Sequence, residues 1–524
     1  MKQSYASRLL FLLIPIFSIL FGCNNGKVVE DATTSSLYQE NHRPQFHFTP
    51  EANWMNDPNG MFYKDGEYHL FYQYYPDSTV WGPMHWGHAV SSDLVSWKHL
   101  PIGLYPDSLG YIFSGSAVVD LYNTSKLGTA ENPPIVAAFT HHNMDGERAQ
   151  TNDFQTQSIA YSLDGGTKWT KYKGNPVIPN TDKIKDFRDP KVIWHEPSKS
   201  WILTLAAYEK VKFYSSPNLI DWKFLSDYGI KGDTRLWECP DLFPIKVEGT
   251  DETKWVLIVS IQKDAPNAGT ATSYFVGEFD GKEFKSDVKN HKWLDWGTDN
   301  YAFVTWDNLP KDDGRVLGIG WMSNWQYAQI VPTEKWRSAM TLPRELKLIE
   351  SKSGYLLQSS PTKEFLALRG ETTTLDVMNI TEEKLLEGNF KASQSELNFT
   401  IDLKKTTANT FGLKLQNDLG ENLLVKFDKT KGKMYVDRSN SSKEKFSEDF
   451  FKKDHSAPIN FGKEKLNVRM IIDAASIEIF INEGEVSFTS IFFPTKKFDT
   501  MSLFAEKGTW SINNTKIYAL NSIW

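Results

Sequence analysis

A unit of about 50 to 70 residues recurs five times between residues 56 and 321, and this repeat constrains the fold more than any other feature of the chain. Each copy opens with a polar or acidic motif, runs into a strand, and returns through a turn into a second strand. Helical periodicity is almost absent after residue 40. The five opening motifs are 56–60 (NDPNG), 113–116 (FSGS), 187–190 (FRDP), 238–241 (ECPD) and 301–302 (YA).

A second signature falls between the copies, where an Asp or Asn stands shortly before an aromatic residue. It occurs at 93–97 (DLVSW), 164–169 (DGGTKW), 218–222 (NLIDW) and, in a weaker form, 280–284 (DGKEF). Short strands with a recurring aromatic residue are typical of β-propeller blades. We therefore predict an all-β chain with a five-bladed β-propeller over residues 41–350. An irregular pair of β-sandwiches is the alternative for this region.

The sequence changes in character after about residue 350. Trp becomes rarer, and stretches rich in Lys, Ser, Thr and Asn alternate with strands such as 466–472 and 476–481. Alternation of this kind without blade motifs is typical of a β-sandwich. We predict a C-terminal β-sandwich over residues 367–524. Packing against the propeller is its expected role, and sugar binding is the alternative.

The first residues have the pattern of an export signal. A positively charged start precedes an apolar run over 9–21 that is too short to span a membrane. A short buried helix is the alternative. Because 20–23 (LFGC) resembles a bacterial lipoprotein box, we predict a signal peptide over 1–22, lipidation of Cys23 and a polar tether over 23–40. The protein would then be exported and membrane-anchored, on the cell surface or the periplasmic face.

Composition and missing motifs exclude several functions. The net charge is −7 and no run of Lys or Arg forms a basic patch, which argues against nucleic acid as a partner. The sequence has no H-E-x-x-H, no Cys/His cluster and none of the motifs of serine hydrolases, P-loop proteins or dinucleotide-binding folds. We expect no metal and no cofactor. Lipidation of Cys23 would leave Cys239 alone, without a disulfide partner.

The repeat also predicts where a site would form. The first strand of every propeller blade lines the central channel, so equivalent positions at the starts of these strands meet at one end of the axis. Asp57, Asp189 and Glu238 occupy such positions in three of the copies. Three carboxylates that are far apart in the sequence are therefore expected around one pocket.

Two carboxyl groups facing one pocket suggest cleavage of a glycosidic bond, in which one is the nucleophile and the other the general acid. Asp57 lies between two asparagines and is the candidate for the ionised nucleophile. Glu238 follows Trp237 and precedes Cys239, an apolar setting that would raise a carboxyl pKa and suit the acid/base. Arg188 is expected to keep Asp189 charged, so that Asp189 binds hydroxyls. Cys239 is interpreted as a buried thiol rather than a nucleophile.

The same residues carry a resemblance to a known family. The motifs 54–60 (WMNDPNG), 188–190 (RDP) and 238–240 (ECP) resemble the signatures of glycoside hydrolase family 32, the family of invertases, inulinases and levanases. Secondary matches follow in the family's order over residues 44–350, at 71–76 (FYQYYP), 81–82 (WG), 113–116 (FSGS), Tyr301 and 320–322 (GWM). The C-terminal region resembles the family's sandwich only loosely, as at 473–480.

The resemblance implies a five-bladed propeller that hydrolyses β-fructofuranosides with retention. Asp57 would attack the fructosyl anomeric carbon, and Glu238 would be the acid/base. Asp189, with Arg188 beside it, would hold fructose hydroxyls and stabilise the transition state. The terminal-fructose pocket would be lined by Asn56, Gln73, Trp81, Phe113, Ser114, Tyr301 and Trp321. Blade packing is the alternative role for Trp81 and Trp321.

The expected function is an exported fructan hydrolase acting on levan or inulin, or also on sucrose, and releasing terminal fructose. The alternatives are an endo-acting levanase at the cell surface, a transfructosylating enzyme with the same residues, and a non-catalytic sugar-binding lipoprotein. Intact Asp57 and Glu238 argue against the last of these. The sequence leaves open the choice between β-2,1 and β-2,6 linkages and the oligomeric state.

Overall fold

The computed structural model describes residues 38–352 and 354–524, which consist almost entirely of β-strands. The predicted signal peptide, Cys23 and most of the predicted tether lie outside the described residues. Within these residues, no helix is long and apolar enough to cross a membrane. Up to Pro361 the strands form five consecutive sheets, or blades.

The four main strands of each of blades one to three follow chain order within the sheet. Blade one comprises β1 (Asn53–Lys64), β2 (Glu67–Tyr75), β3 (His85–Ser91) and β4 (Lys98–Leu104). Blade two comprises β5 (Tyr111–Val119), β6 (Ile135–His142), β7 (Gln155–Ser162) and β8 (Thr170–Lys171), with helix α1 (Met144–Arg148) between β6 and β7. Blade three comprises β9 (Phe187–His195), β10 (Ser200–Ala207), β11 (Lys210–Ser216) and β12 (Lys223–Gly229).

Blades four and five are less regular. Blade four comprises β13 (Trp237–Lys246), β14 (Thr253–Ile261), β15 (Ala271–Phe279), β16 (Phe284–Lys285) and β17 (Lys292–Trp293). Blade five comprises β18 (Tyr301–Thr305), β19 (Val316–Met322), β21 (Ala339–Met340), β22 (Arg344–Ser351) and β23 (Gly354–Pro361), and so extends past residue 350. The short strand β20 (Trp336–Arg337) pairs in parallel with β1 and adds a fifth strand to blade one. Among the residues that the structure describes, short 3₁₀ helices occur at Glu196–Ser198, Ala328–Ile330 and Lys363–Leu368.

The blades close into a ring through five buried apolar clusters, one between each pair of neighbours. The last cluster joins blade five to blade one, since it contains Leu317 of β19 and Leu70 of β2. The innermost strands β1, β5, β9, β13 and β18 contact one another in that order, and β18 contacts β1. The prediction of a five-bladed propeller is confirmed, and the alternative of two irregular sandwiches is wrong.

The second sequence signature marks the same turn in blades one to four, between the third and fourth strands. In each copy the Asp or Asn side chain accepts hydrogen bonds from backbone N–H groups two to four residues on, at Asp93, Asp164, Asn218 and Asp280. The aromatic residue then packs against a cluster between blades. The Asp or Asn turn and the aromatic residue therefore recur together, because the turn fixes the direction in which the aromatic side chain points.

Every innermost strand carries a shift in its pairing register at its opening motif. The shifts lie between Met55 and Pro58 in β1, Ile112 and Gly115 in β5, Arg188 and Lys191 in β9, Glu238 and Asp241 in β13, and Tyr301 and Val304 in β18. Three residues at these shifts have a positive φ: 66° at Asp189, 46° at Cys239 and 52° at Ala302. A bulge redirects a strand locally, so the motif side chains turn toward the end of the axis.

Two further sheets pack face to face after residue 361 and form the β-sandwich. A seven-stranded sheet contains β24 (Arg369–Leu375), β25 (Met378–Ile380), β27 (Ser395–Asp402), β32 (Lys465–Asp473), β33 (Ser476–Ile481), β34 (Val486–Ile491) and β36 (Trp510–Leu520). A six-stranded sheet contains β26 (Lys384–Leu385), β28 (Thr410–Gln416), β29 (Asn422–Asp428), β30 (Lys433–Asp437), β31 (His455–Pro458) and β35 (Thr500–Glu506). Apolar side chains from both sheets form one core cluster. The predicted C-terminal sandwich is confirmed.

Buried charges join the sandwich to the propeller. His47 contacts the carboxylates of Asp473 and Glu478 at 2.8 and 2.9 Å, and Arg344 of blade five bonds to Glu478 as well. Arg344 also pairs at 2.8 Å with Asp295. All five side chains are fully buried. Because every charge in this group has a partner of opposite sign, the contact is both buried and electrostatically satisfied.

Candidate active site

A cavity of about 190 Å³ opens at the end of the propeller axis where the bulged motifs meet. We call it the carboxylate cavity, since Asp57 of β1, Asp189 of β9 and Glu238 of β13 all line it. Its other lining residues are Asn56, Gln73, Trp81, Phe113, Ser114, His142, Glu147, Gln155, Asp186, Arg188 and Trp325.

Asp57 is 9% exposed and accepts three hydrogen bonds. The Asn56 side-chain amide donates to Oδ1 at 3.1 Å, the Ser114 hydroxyl to Oδ2 at 2.9 Å, and the Cys239 thiol to Oδ2 at 3.5 Å. Burial and the nearby charge of Glu238 raise the pKa of Asp57 above its usual value, although these donors oppose the shift by stabilising the ionised form. The donors also fix the direction of the carboxylate.

Asp189 is buried and is held by the backbone of the neighbouring blade. The Cys239 N–H donates to Oδ2 at 2.9 Å, and the Asp189 N–H donates to the hydroxyl of Thr140 at 3.0 Å. Burial, together with the charges of Glu238 and Asp57, raises the pKa of Asp189 to about 7, although Arg188 and the Cys239 N–H oppose this shift. The expectation that Arg188 keeps Asp189 charged differs from the structure, in which the guanidinium bonds to Asp186 and Glu238 and does not offset the effect of burial on the pKa of Asp189.

Arg188 pairs with Glu238 and Asp186. Its Nε and Nη2 donate to Glu238 Oε1 at 3.1 and 2.9 Å, and its Nη1 donates to Asp186 Oδ1 at 2.6 Å. Arg188 and Asp189 are consecutive in a strand, so their side chains leave in different directions. The arginine therefore acts on the carboxylate of the next blade rather than on its neighbour in sequence.

Glu238 lies in a polar setting, unlike the apolar one expected from its neighbours. Its Oε2 accepts a hydrogen bond from the Tyr301 hydroxyl, and its side chain is 15% exposed. Burial, with the charge of Glu238, raises the pKa of Tyr301 well above its usual range, so this hydroxyl stays protonated and donates. Trp237 is fully buried and stacks on Phe275 at 5.6 Å, away from the cavity.

Trp321 is fully buried and does not line the carboxylate cavity. It packs behind the wall, with its ring centroid 4.9 Å from that of Trp325 and 6.4 Å from that of Tyr301. Trp325, in the segment after β19, lines the cavity instead. The expected wall position of Trp321 is therefore taken by a residue four positions later, outside the repeated motif.

Five of the other expected pocket residues line the cavity: Asn56, Gln73, Trp81, Phe113 and Ser114. Tyr301 does not line it; it is buried behind Glu238, which its hydroxyl contacts. The Trp54 indole donates to Asn56 Oδ1 at 2.7 Å, which orients the Asn56 amide toward Asp57. Gln73 donates to Asn59 at 2.8 Å and to the carbonyl of Ile112 at 3.1 Å. Trp81 and Phe113, which both line the cavity, form an edge-to-face pair with centroids 6.0 Å apart.

Sequence reasoning missed four more polar residues of the cavity: His142, Glu147, Gln155 and Asp186. They lie at the end of β6, in α1, at the start of β7 and just before β9. None belongs to an opening motif, so the repeat carries no signal for them. Within residues 38–352 and 354–524, no group of three or more His, Cys, Asp or Glu residues could hold a metal ion.

The chain is similar to known proteins along most of its length. Residues 47–360 match the glycosyl hydrolases family 32 N-terminal domain, and residues 364–519 match the family 32 C-terminal domain. Levanase of Bacillus subtilis (strain 168) is 45% identical over 505 residues, covering 94% of this chain and 72% of that protein. The extracellular exo-inulinase of Aspergillus awamori is 36% identical over 522 residues, covering 93% of this chain and 96% of that protein.

Solved structures agree with these matches. The crystal structure of exo-inulinase from Aspergillus awamori superposes with a TM-score of 0.84 and 32% identity, covering 93% of this chain and all of that one. The structure of fructofuranosidase from Schwanniomyces occidentalis complexed with fructose gives a TM-score of 0.81 at 32% identity, covering 93% of this chain and 100% of that one. The chain therefore belongs to glycosyl hydrolase family 32.

Proposed function

We propose that the protein is a retaining β-fructofuranosidase that hydrolyses fructans and releases their terminal fructose. The observation that carries the proposal is a buried carboxylate, Asp57, which shares one cavity with a second carboxyl group, Glu238. Two such groups are the machinery of retaining glycosidases. Relatives named levanase and exo-inulinase, and a related fructofuranosidase solved with fructose, support a fructosyl substrate.

In the first step, Asp57 attacks the anomeric carbon of the terminal fructose. The bond from that carbon to the leaving oxygen breaks, and Glu238 gives its proton to this oxygen. In the second step, Glu238 takes a proton from water, whose oxygen displaces Asp57 and releases fructose with retained configuration. Asn56 and Ser114 hold the Asp57 carboxylate in its direction of attack.

Glu238 has to donate a proton in one step and accept one in the next. Arg188 and Tyr301 hold its two oxygens in place through both. Asp189 accepts hydrogen bonds from fructose hydroxyls, and its burial strengthens these bonds as positive charge develops on the sugar. Asn56, Gln73, Trp81, Phe113 and Ser114 form the rest of the pocket. Trp325 also lines this pocket, and Trp321 packs behind Trp325.

The volume of the cavity supports exo action. At about 190 Å³ it lies below the roughly 300–1,000 Å³ of typical ligand pockets, and a space of this size suits one sugar ring rather than a chain. The test is chromatography of the first products from levan and, separately, from inulin. Free fructose alone from the start supports the proposal, and the better substrate identifies the linkage. A ladder of oligosaccharides would instead indicate an endo-acting levanase or inulinase.

We also propose that the protein is exported and anchored by a lipid on Cys23, after removal of residues 1–22, with 23–40 as the tether. The charge order and the LFGC sequence support this, as do relatives described as extracellular. In membrane fractionation, Cys23→Ala should move the protein from the membrane to the soluble fraction. Wild-type protein that is already soluble would contradict the anchor.

A further inference from the structure

The carboxylate cavity has a hydrogen-bonded wall that the proposed reaction does not use. It starts at Arg188, which holds Glu238, and continues through Gln155 and His142 to Glu147. All of these side chains line the cavity. Since Glu238 protonates the leaving oxygen, the wall runs from this acid to the half-exposed Glu147 at the rim, outside the terminal-fructose pocket, where the departing sugar would lie.

Gln155 sets the direction of this wall. Its Oε1 accepts from the Phe187 backbone N–H at 2.8 Å and from Arg188 Nη1 at 3.3 Å. A backbone N–H can only donate, so the amide oxygen must face it and the amide nitrogen must face the other way. That nitrogen lies 3.1 Å from Nδ1 of His142.

The hydrogen bonds of His142 follow from this orientation. Burial lowers the pKa of His142, with Arg188 acting in the same direction and Glu147 and Asp186 opposing it. The ring is therefore neutral, and because Nδ1 accepts from Gln155, the proton is on Nε2. This N–H faces Glu147 Oε2 at 3.1 Å, and the Met144 sulfur also lies 3.0 Å from Nε2. The ring stacks on Phe113 with centroids 4.1 Å apart.

Glu147 ends this wall at the rim of the cavity. It lies in α1, whose start is capped by the Asn143 side chain accepting from the Gly146 N–H at 2.9 Å. The Glu147 side chain is 46% exposed. Within the described part of the chain, its only side-chain hydrogen bond is the one from His142. An oriented carboxylate with a free oxygen at a cavity rim is suited to accept from sugar hydroxyls.

We propose that Glu147 binds the hydroxyl groups of the sugar on the leaving-group side of the cleaved bond, with His142 and Gln155 as positioning residues. The ligand class is a glucosyl or fructosyl unit with neighbouring hydroxyls. This inference rests on the proposed β-fructofuranosidase function. It gives the wall a specificity role, because Glu147 selects what is attached to the terminal fructose.

The test compares leaving groups that carry hydroxyls with one that does not. Sucrose and a fructose disaccharide have sugar leaving groups, whereas an aryl β-D-fructofuranoside releases a phenol. Glu147→Gln should lower kcat/KM for both sugars by about tenfold through a higher KM, the size expected for one charged hydrogen bond. The aryl substrate should change by less than about twofold. Asp145→Asn is the matched control, since it makes the same charge change on α1 at a side chain that is 92% exposed.

His142→Phe tests the positioning role. Phenylalanine keeps the stacking on Phe113 but removes the N–H that holds Glu147. We expect the same selective rise in KM for the two sugar substrates. Combining His142→Phe with Glu147→Gln should lower kcat/KM no further, because both substitutions remove the same interaction between Glu147 and the leaving sugar. Additive losses in the double variant would overturn the positioning role.

Two outcomes would contradict the inference in different ways. If Glu147→Gln lowers kcat/KM equally for sugar and aryl substrates, or lowers neither, Glu147 does not bind the leaving sugar, although the protein remains a fructosidase. If the wild-type protein cleaves none of the three substrates, the proposed function itself fails and the inference fails with it.

Discussion

Asp189 is the residue whose burial has the clearest consequence for stability. Its pKa is raised from 3.8 to about 7 in the folded protein, so the folded state keeps a proton that the unfolded state loses between these values. Stability contributed by this group is therefore present at low pH and falls as the pH rises from about 4 to 7.

Asp189→Asn should accordingly raise the free energy of unfolding at pH 8 by on the order of 2 kcal/mol. At pH 4 the same substitution should change the free energy of unfolding little. The asparagine oxygen can still accept from the Cys239 N–H, so the fold is expected to persist while activity is lost. Thermal unfolding at the two pH values measures this effect. An equal change in Tm at both would mean that the buried charge is not the cause.

The residue scale also shows what the sequence could predict. The repeat placed Asp57, Asp189 and Glu238 at one end of the axis, and the cavity contains all three. It could not predict their partners, because neighbours along a strand point in different directions. Arg188 therefore reaches Glu238 rather than Asp189, and Trp237 packs away from the carboxyl group that follows it.

At the level of single strands, the bulge in each innermost strand directs the side chains of the repeated motif toward the carboxylate cavity. Ala302, next to Tyr301, is fully buried, has a φ of 52° and donates its N–H to the Ser260 hydroxyl at 3.0 Å. A β-branched side chain is strained at this φ, whereas glycine is not. The backbone here also decides whether the Tyr301 hydroxyl reaches Glu238.

We therefore expect Ala302→Val to lower both Tm and kcat/KM, the latter by about tenfold or more, because about 1–3 kcal/mol of strain falls on the bulge. Ala302→Gly, as the matched variant, should keep kcat/KM within about threefold. Steady-state kinetics with thermal unfolding checks both. A valine variant with wild-type activity would show that the bulge does not position Tyr301.

Cavity residues that lie outside the repeated motifs could not be predicted from the sequence. Trp325 follows β19 in an irregular segment, and Glu147 lies in α1, which interrupts blade two. Neither position recurs in another blade, so the repeat gives no equivalent residue from which to place it. Their orientation depends on contacts with neighbouring elements, such as the stacking of Trp325 on Trp54, with centroids 5.9 Å apart.

At the scale of the whole molecule, propeller and sandwich depend on shared buried charges. Glu478 of β33 accepts from the Leu342 N–H at 2.8 Å and bonds to both Arg344 and His47. Burial opposes its charge, but these partners lower the pKa of Glu478 to about 2. Burial also opposes the charge of His47, but the carboxylates of Asp473 and Glu478 raise the pKa of His47 to about 9. Stability from Glu478 is lost as the pH falls from 4.5 through 2. Stability from His47 is lost as the pH rises from 6.5 through 9.

Glu478→Gln should lower the free energy of unfolding by about 3–5 kcal/mol, because Arg344 and His47 each lose a partner while buried. Denaturant unfolding at pH 7 measures the loss. Glu483→Gln, in the exposed turn after β33, is the matched control and should change stability by no more than about 0.5 kcal/mol. Equal stability of the two variants would mean that the buried charges do not hold the sandwich to the propeller.

The most direct test of the proposed roles of Asp57 and Glu238 is mass spectrometry of the Glu238→Ala variant after incubation with an aryl β-D-fructofuranoside. The phenol leaves without help from an acid, but the second step lacks its base, so a fructosyl ester should accumulate. We expect a mass increase of one fructosyl group, which peptide mapping assigns to Asp57. A folded variant that carries the sugar on another residue, or that turns over without any adduct, would contradict these roles.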